Sequence, residues 1–132
     1  MTQEERSEYA RNRIETAHKT IDAAKLLAEN GFWNSSVNRL YYALFYAVNA
    51  LLVVNEIYPQ SHSGMRSLFA LHFIKTEKMD IKYGKLLAQL YDWRQKGDYD
   101  NMFDYDSESV MTLFDPVMEM VIQIEKEIKQ KA

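Results

Sequence analysis

The chain has 132 residues, enough for one domain with a real core, and residues 1–132 are expected to form a single domain. It has no cysteine, so a disulfide framework, a thiolate metal site and thiol catalysis are all excluded. A net charge of −3 lacks the basic excess that non-specific binding to duplex nucleic acid uses, so duplex DNA is not an expected partner.

The N-terminal stretch from Met1 to Arg13 carries no apolar signal core, and a cytoplasmic location is expected. Of the four glycines, three are expected at joints between periodic segments, dividing the chain into five helical pieces. The first runs from about Glu4 to Glu29. It places Ala10, Ile14, Ala17, Ile21, Ala24 and Ala28 at four-three spacing, and Asn30-Gly31 supplies its stop. The second piece, from Asn38 with a cap at Asn34 or Ser35, has three stripes. Val37, Leu40, Leu44, Ala47, Leu51 and Val54 form the first, and Tyr41, Phe45, Val48 and Leu52 the second. The third, Arg39, Tyr42, Tyr46 and Asn49, is polar and aromatic. Such a helix either crosses the centre of a bundle or faces a partner subunit, and something polar should meet its third face. Its apolar run reads as too short and too tyrosine-rich to span a bilayer, so no membrane contact is expected.

The third piece, about Ser63 to Thr76, is short. Asp80 caps the fourth, in which Tyr83, Leu87, Leu90 and Arg94 run toward Gly97, so an arginine ends an otherwise apolar stripe. After an acidic loop from Asp98 to Asp106, the fifth carries Val110, Phe114, Val117, Val121, Ile124 and Ile128. Pro116 either opens a helix capped by Asp115 or kinks one that starts near Ser107, and because the stripe keeps its phase across Asp115-Pro116 the single kinked helix is the expected one. The expected fold is all-α: an up-and-down bundle of four long helices plus one short helix.

No HExxH, CxxC, glycine-rich phosphate loop or GxSxG is present, so no metal site and no cofactor are expected. His18 falls on a charged helix face and His72 among Leu68, Phe69 and Phe73, where solvation and packing account for them. His62 differs, because Gln60-Ser61-His62-Ser63-Gly64 immediately precedes a helix whose free N–H groups favour anions; the alternative is a plain cap or loop residue. The other candidate is Trp93-Arg94-Gln95-Lys96-Gly97-Asp98-Tyr99-Asp100. There Arg94 either pairs with a nearby carboxylate to fasten the bundle end or stabilises phosphate charge while a neighbour handles a proton.

Asn38-Arg39-Leu40-Tyr41-Tyr42-Ala43-Leu44-Phe45, then Ser61-His62-Ser63-Gly64 with Leu68-Phe69, then Arg94-Gln95-Lys96-Gly97-Asp98-Tyr99, together resemble the HEPN domain (higher eukaryotes and prokaryotes nucleotide-binding). The resemblance spans nearly the whole chain and is closest to the small prokaryotic branch. It implies a bundle that dimerises through helical faces. Many HEPN proteins are metal-independent RNases or toxins encoded beside a minimal nucleotidyltransferase antitoxin; others are non-catalytic binding modules. The ribonuclease branch carries a histidine four to six residues after its arginine. Here no histidine follows Arg94, and Tyr99 stands in that place.

Two functional readings follow. The first is a homodimeric binding module in which Arg39, Tyr42, His62, Arg94 and Tyr99 line a cleft for a nucleotide, single-stranded RNA or a nucleotidyltransferase partner. The second is a metal-independent endoribonuclease with Arg94 stabilising charge and Tyr99, Asp98 or His62 moving the proton. Tyrosine titrates near pH 10, which makes Tyr99 a weak base and favours the first reading. A purely structural homodimer is the bland alternative. If Arg94 serves a site, its removal should change stability little.

Overall fold

Thr2 and Glu5 satisfy each other's backbone donors in a capping box, and from it α1 (Gln3–Glu29) begins. The structure, a computed structural model, describes residues 1–100 and 103–131, and among these every regular element is helical. At the far end of α1, Gly31 takes the left-handed conformation at φ 78°. There Phe32 N–H bonds to Leu27 O and Gly31 N–H to Ala28 O, the two bonds of a Schellman stop. The chain reverses there into α2 (Trp33–Val54).

α2 is the axis of the molecule and packs on α1, on α4 (Ile81–Tyr99) and on α6 (Phe114–Lys131). Val37, Leu40, Leu44, Ala47 and Leu51 are fully buried. So are Tyr41, Val48 and Leu52 of the second stripe. The alanines of α1 bring its backbone close to α2, near enough for buried Ser36 Oγ to donate to Ala24 O at 2.8 Å. By length and composition α2 is able to cross a bilayer, contrary to the expectation that its apolar run is too short. Yet 72% of its most apolar window is buried inside the bundle, where the core already uses that surface.

Several boundaries differ from the sequence reading. α2 starts at Trp33, five residues before Asn38, and neither Asn34 nor Ser35 caps it. The Asn34 amide is committed elsewhere, as described below. The third piece is α3 (His62–Phe69), followed by a π-turn over Ala70–Ile74 in which Lys75 N–H reaches back to Ala70 O. Asp80 does cap α4, its Oδ1 accepting from Lys82 N–H at 2.9 Å. α4 does not stop at Gly97: Asp100 N–H bonds to Lys96 O, so Asp98 and Tyr99 lie on the helix and not in the loop. Residues 101 and 102 of the acidic loop lie outside the described residues. Only Gly31 sits at a joint; Gly64, Gly84 and Gly97 lie inside helices. At Gly84 the side chain of Ile74 packs where a Cβ would project, at 3.3 Å.

The fifth piece is two helices. α5 (Ser107–Met111) is capped by Asp106, and the break falls at Thr112-Leu113, ahead of the proline. Pro116 is the third residue of α6, where its missing N–H goes unneeded, so no kink forms. The stripe nevertheless stays in phase, and Val110, Val117, Val121 and Ile124 are all fully buried. Among the described residues the result is a bundle of four long helices with two short ones, α3 and α5, in the connections.

Because Leu44 is fully enclosed, Leu44→Ala should lower unfolding free energy by about 2–5 kcal/mol in urea titrations. Ile122 on α6 is 43% exposed, and Ile122→Ala should stay within about 0.5 kcal/mol of the parent.

Candidate functional site

Three elements converge beside the N-terminal half of α2: the first turn of α3, the last two turns of α4, and α2 itself. Tyr41 is buried at their centre, and its hydroxyl lies 2.7 Å from His62 Nδ1. His62 is the first residue of α3, with Ser61 as N-cap accepting from Gly64 N–H. Its imidazole stacks on Phe45, ring centroids 4.5 Å apart. Arg94 of α4 lays its guanidinium carbon 5.0 Å from the Tyr41 ring centre and 5.6 Å from those of Tyr42 and Tyr91. Tyr41 therefore contacts both His62 and Arg94.

A polar chain links this cluster to the surface of α2. Asp98, one turn beyond Arg94, places Oδ2 3.5 Å from Arg94 Nη1 and accepts from Asn38 Nδ2 at 3.0 Å. Asn38 Oδ1 in turn accepts from both Nε and Nη2 of Arg39, at 3.0 and 2.8 Å. Arg39 also covers the Tyr42 ring at 5.0 Å, so Tyr42 has an arginine over it from each of α2 and α4. Arg66 of α3 lies 3.8 Å over Tyr91. The Nε atoms of Arg66 and Arg94 are buried without a hydrogen-bond partner.

The end of α4 is fixed by Asn34. Its Nδ2 donates to Gly97 O at 3.3 Å and Phe103 O at 2.7 Å, while Oδ1 accepts from Tyr105 N–H. A Cβ at Gly97 would stand 3.3 Å from Asn34, so glycine permits this approach. Trp93 stacks on Tyr105 at 4.7 Å, and the Tyr105 hydroxyl donates to Trp93 O. Arg94 and Asp98 are thus presented by a helix end that cannot swing freely.

Burial pushes the Tyr41 phenol well above the usual tyrosine range, so it keeps its proton. Burial, then the nearby Arg94 charge, holds His62 below its ordinary value of 6.5, so it is neutral at pH 7. His62 Nδ1 is the hydrogen-bond partner of the Tyr41 hydroxyl, and a protonated phenol needs an acceptor there. Hydrogen-bond pairing therefore assigns the imidazole proton to Nε2. His62 presents an N–H donor, not a lone pair.

The structure gathers Arg39, Tyr42, His62, Arg94 and Asp98 on one surface. Tyr99 stands apart: it is 77% exposed, and no hydrogen bond or ring contact joins it to the other five. Arg94 is only 8% exposed, so the expectation that its removal spares stability does not hold; truncation would strip packing from three tyrosines. His18 pairs with Glu125 of α6, and His72 is half-buried in the π-turn. The sequence places Tyr41 on a core stripe, and Asn38, Arg66 and Tyr91 were not among the expected site residues. The available signal for Tyr41 was a phenol on a fully buried stripe, which must find a polar partner.

The HEPN domain model matches residues 10–128. A Thermotoga maritima UPF0332 protein is 40% identical over 103 residues, covering 78% of this chain and 76% of the relative. Two Methanocaldococcus jannaschii proteins are also similar. "Putative toxin MJ0605" is 32% identical over 89% of this chain and 87% of its own length. "Putative toxin MJ0142" is 39% identical over 72% of this chain and spans 65% of its own length. The match covers almost the entire helical bundle, and the chain belongs to the HEPN domain family.

Proposed function

We propose that this chain is a cytoplasmic binding module for a nucleotide or single-stranded RNA, acting as the partner of a minimal nucleotidyltransferase in a toxin–antitoxin pair. The observation that carries the binding reading is the donor set around Tyr41 and Tyr42. His62 offers Nε2–H, half-exposed Arg39 offers guanidinium donors, buried Arg94 adds its positive charge from behind, and the Arg39–Tyr42 pair gives a half-exposed planar edge against which an unstacked base can lie. All of these groups donate, stack or carry positive charge, as an anionic aromatic ligand requires. Asp98 is the carboxylate in the network, and Arg94 and Asn38 already hold it.

The endoribonuclease reading is favoured by the toxin names of the two relatives and by the placing of His62 beside Arg94 around one tyrosine. Against it, a general base needs a free lone pair, and the Tyr41 bond occupies the one on Nδ1. Tyr99 is too remote from the cluster to replace it.

Fluorescence titration with a short single-stranded RNA tests the donor role. His62→Phe should weaken binding about tenfold or more, whereas His62→Gln, which keeps an N–H donor, should remain within a few-fold. Arg94→Lys loses the planar stack and fork and should also cost about tenfold. In excess EDTA the RNA should stay intact. Cleavage that survives chelation and disappears in both His62 variants would establish the nuclease instead.

The depressed His62 value also sets a pH dependence. Because the folded state resists protonation, its stabilising share is complete above 6.5 and is lost as pH falls through the lower folded-state value. Melting temperature should therefore drop more steeply below pH 6.5 in the parent than in His62→Gln.

The half-exposed stripe of α2, Tyr42, Phe45, Tyr46 and Asn49, supports homodimerisation, since the chain's own helices leave it partly open. Light scattering across a concentration range should give twice the chain mass, and Tyr46→Glu should return a monomer.

A further inference from the structure

A cleft of about 700 Å³ separates the first half of α1 from the last turns of α6, and none of the residues clustered around Arg94 lines it. Ala10 and Ile14 of α1, Val54 at the end of α2 and Ile128 of α6 give it an apolar floor. Polar contacts mark its two ends. Arg6 meets Glu56 at 3.6 Å at one, and His18 Nε2 is hydrogen-bonded to Glu125 at the other. Arg6 and His18 are twelve positions apart on α1, so the cleft runs for about 18 Å, a little over three helical turns.

The rim has a definite charge. The lining carries three carboxylates, Glu15, Glu56 and Glu125, of which Glu56 faces Arg6 and Glu125 is hydrogen-bonded to His18. Against them stand, besides Arg6, Arg11 on the α1 side and Lys129 and Lys131 on the α6 side, four cations to three carboxylates. Arg11 lies 3.9 Å from exposed Glu8, a screened contact of little strength, and neither lysine has an ion-pair partner among the described residues. In a chain of net charge −3, this is a local basic border around apolar ground.

We propose that this cleft docks an acidic amphipathic α-helix of a partner protein. Two neighbouring helices leave a trough into which the ridge of a third fits, and about three turns fill the distance between Arg6 and His18. Apolar anchors at i, i+3, i+4 and i+7 rest on Ala10, Ile14 and Ile128. Cations on both walls call for acidic side chains on both flanks of that stripe. This site does not depend on the nucleic-acid reading, because it shares no residue with the Arg94 cluster.

The test is fluorescence anisotropy of the full chain with a labelled synthetic helix of about fourteen residues. The peptide carries leucine at i, i+3, i+4 and i+7, glutamate on both flanks and alanine elsewhere. A second peptide has lysine in place of each glutamate. The glutamate peptide should bind saturably. Binding should fall about tenfold in Arg11→Glu combined with Lys129→Glu, two exposed positions whose change leaves the fold intact, and the lysine peptide should gain on that variant. Ile14→Ser should weaken the glutamate peptide while RNA titrations stay unchanged. Absence of saturation, equal binding of both peptides, or indifference to the charge reversals would overturn the proposal. So would a change of oligomeric state in the reversed variant without peptide binding, which would assign the cleft to a second copy of this chain.

Discussion

The Arg94 guanidinium is almost sealed from water, and its surroundings explain how the charge is tolerated. Three tyrosine faces and one carboxylate replace its hydration, with Asp98 at 3.5 Å and Tyr41, Tyr42 and Tyr91 within 5.6 Å. The same buried charge acts on its neighbours. It opposes protonation of His62, while the burial that surrounds it keeps Tyr41 un-ionised. Removing the arginine would therefore change packing, the polar chain through Asn38 to Arg39, and the protonation state of the histidine together.

Holding one charge in that position requires a rigid helix end, and the chain supplies it by a side chain whose obvious role was different. Asn34 has the residue type and near-terminal place of a helix cap. Its amide instead bridges α2 to Gly97, Phe103 and Tyr105. A capping residue must turn its oxygen to its own helix's N–H groups, so the two roles are exclusive. This is the physical reason α2 begins without a side-chain cap, and why its first turn gains support from tertiary contacts such as Ser36 to Ala24.

Periodicity made the bundle legible from sequence. The stripes of α1, α2 and α6 point inward as their spacing demands, because 3.6-residue repetition is a property of the helix itself. Local boundary signals were legible at the stop Asn30-Gly31 and the cap Asp80, where backbone conformation or a short side-chain bond decides the matter. Gly97 looks like a break in sequence, but it serves close approach by Asn34, a partner distant along the chain. The break before Pro116 was likewise hidden, since a proline at the third helical position and one inside a continuous helix leave the same stripe. At the candidate site, Arg39, Tyr42, His62 and Arg94 could be singled out by type, whereas Tyr41 could not. Its place in the cluster comes from the one polar atom on an otherwise core side chain.

The position of the histidine distinguishes this chain from the ribonuclease pattern its family suggests. A histidine four to six residues beyond the arginine would sit on the same helix and be free to exchange a proton. His62 arrives from another helix and is tied at Nδ1 by a phenol that does not release its own proton near neutrality. Tyrosine at position 99 leaves the end of α4 exposed to solvent in place of an imidazole. α1 then separates the two surfaces that remain. Arg13 lies 5.4 Å over Tyr46 beside the α2 stripe, while Ala10 and Ile14 turn toward the cleft with α6. Since adjacent helical positions point about 100° apart, a helix seated in the cleft would leave the stripe and the Arg94 cluster uncovered. The cleft and the Arg94 cluster therefore share no side chain, whereas the ligand and the second copy proposed above would both use Tyr42.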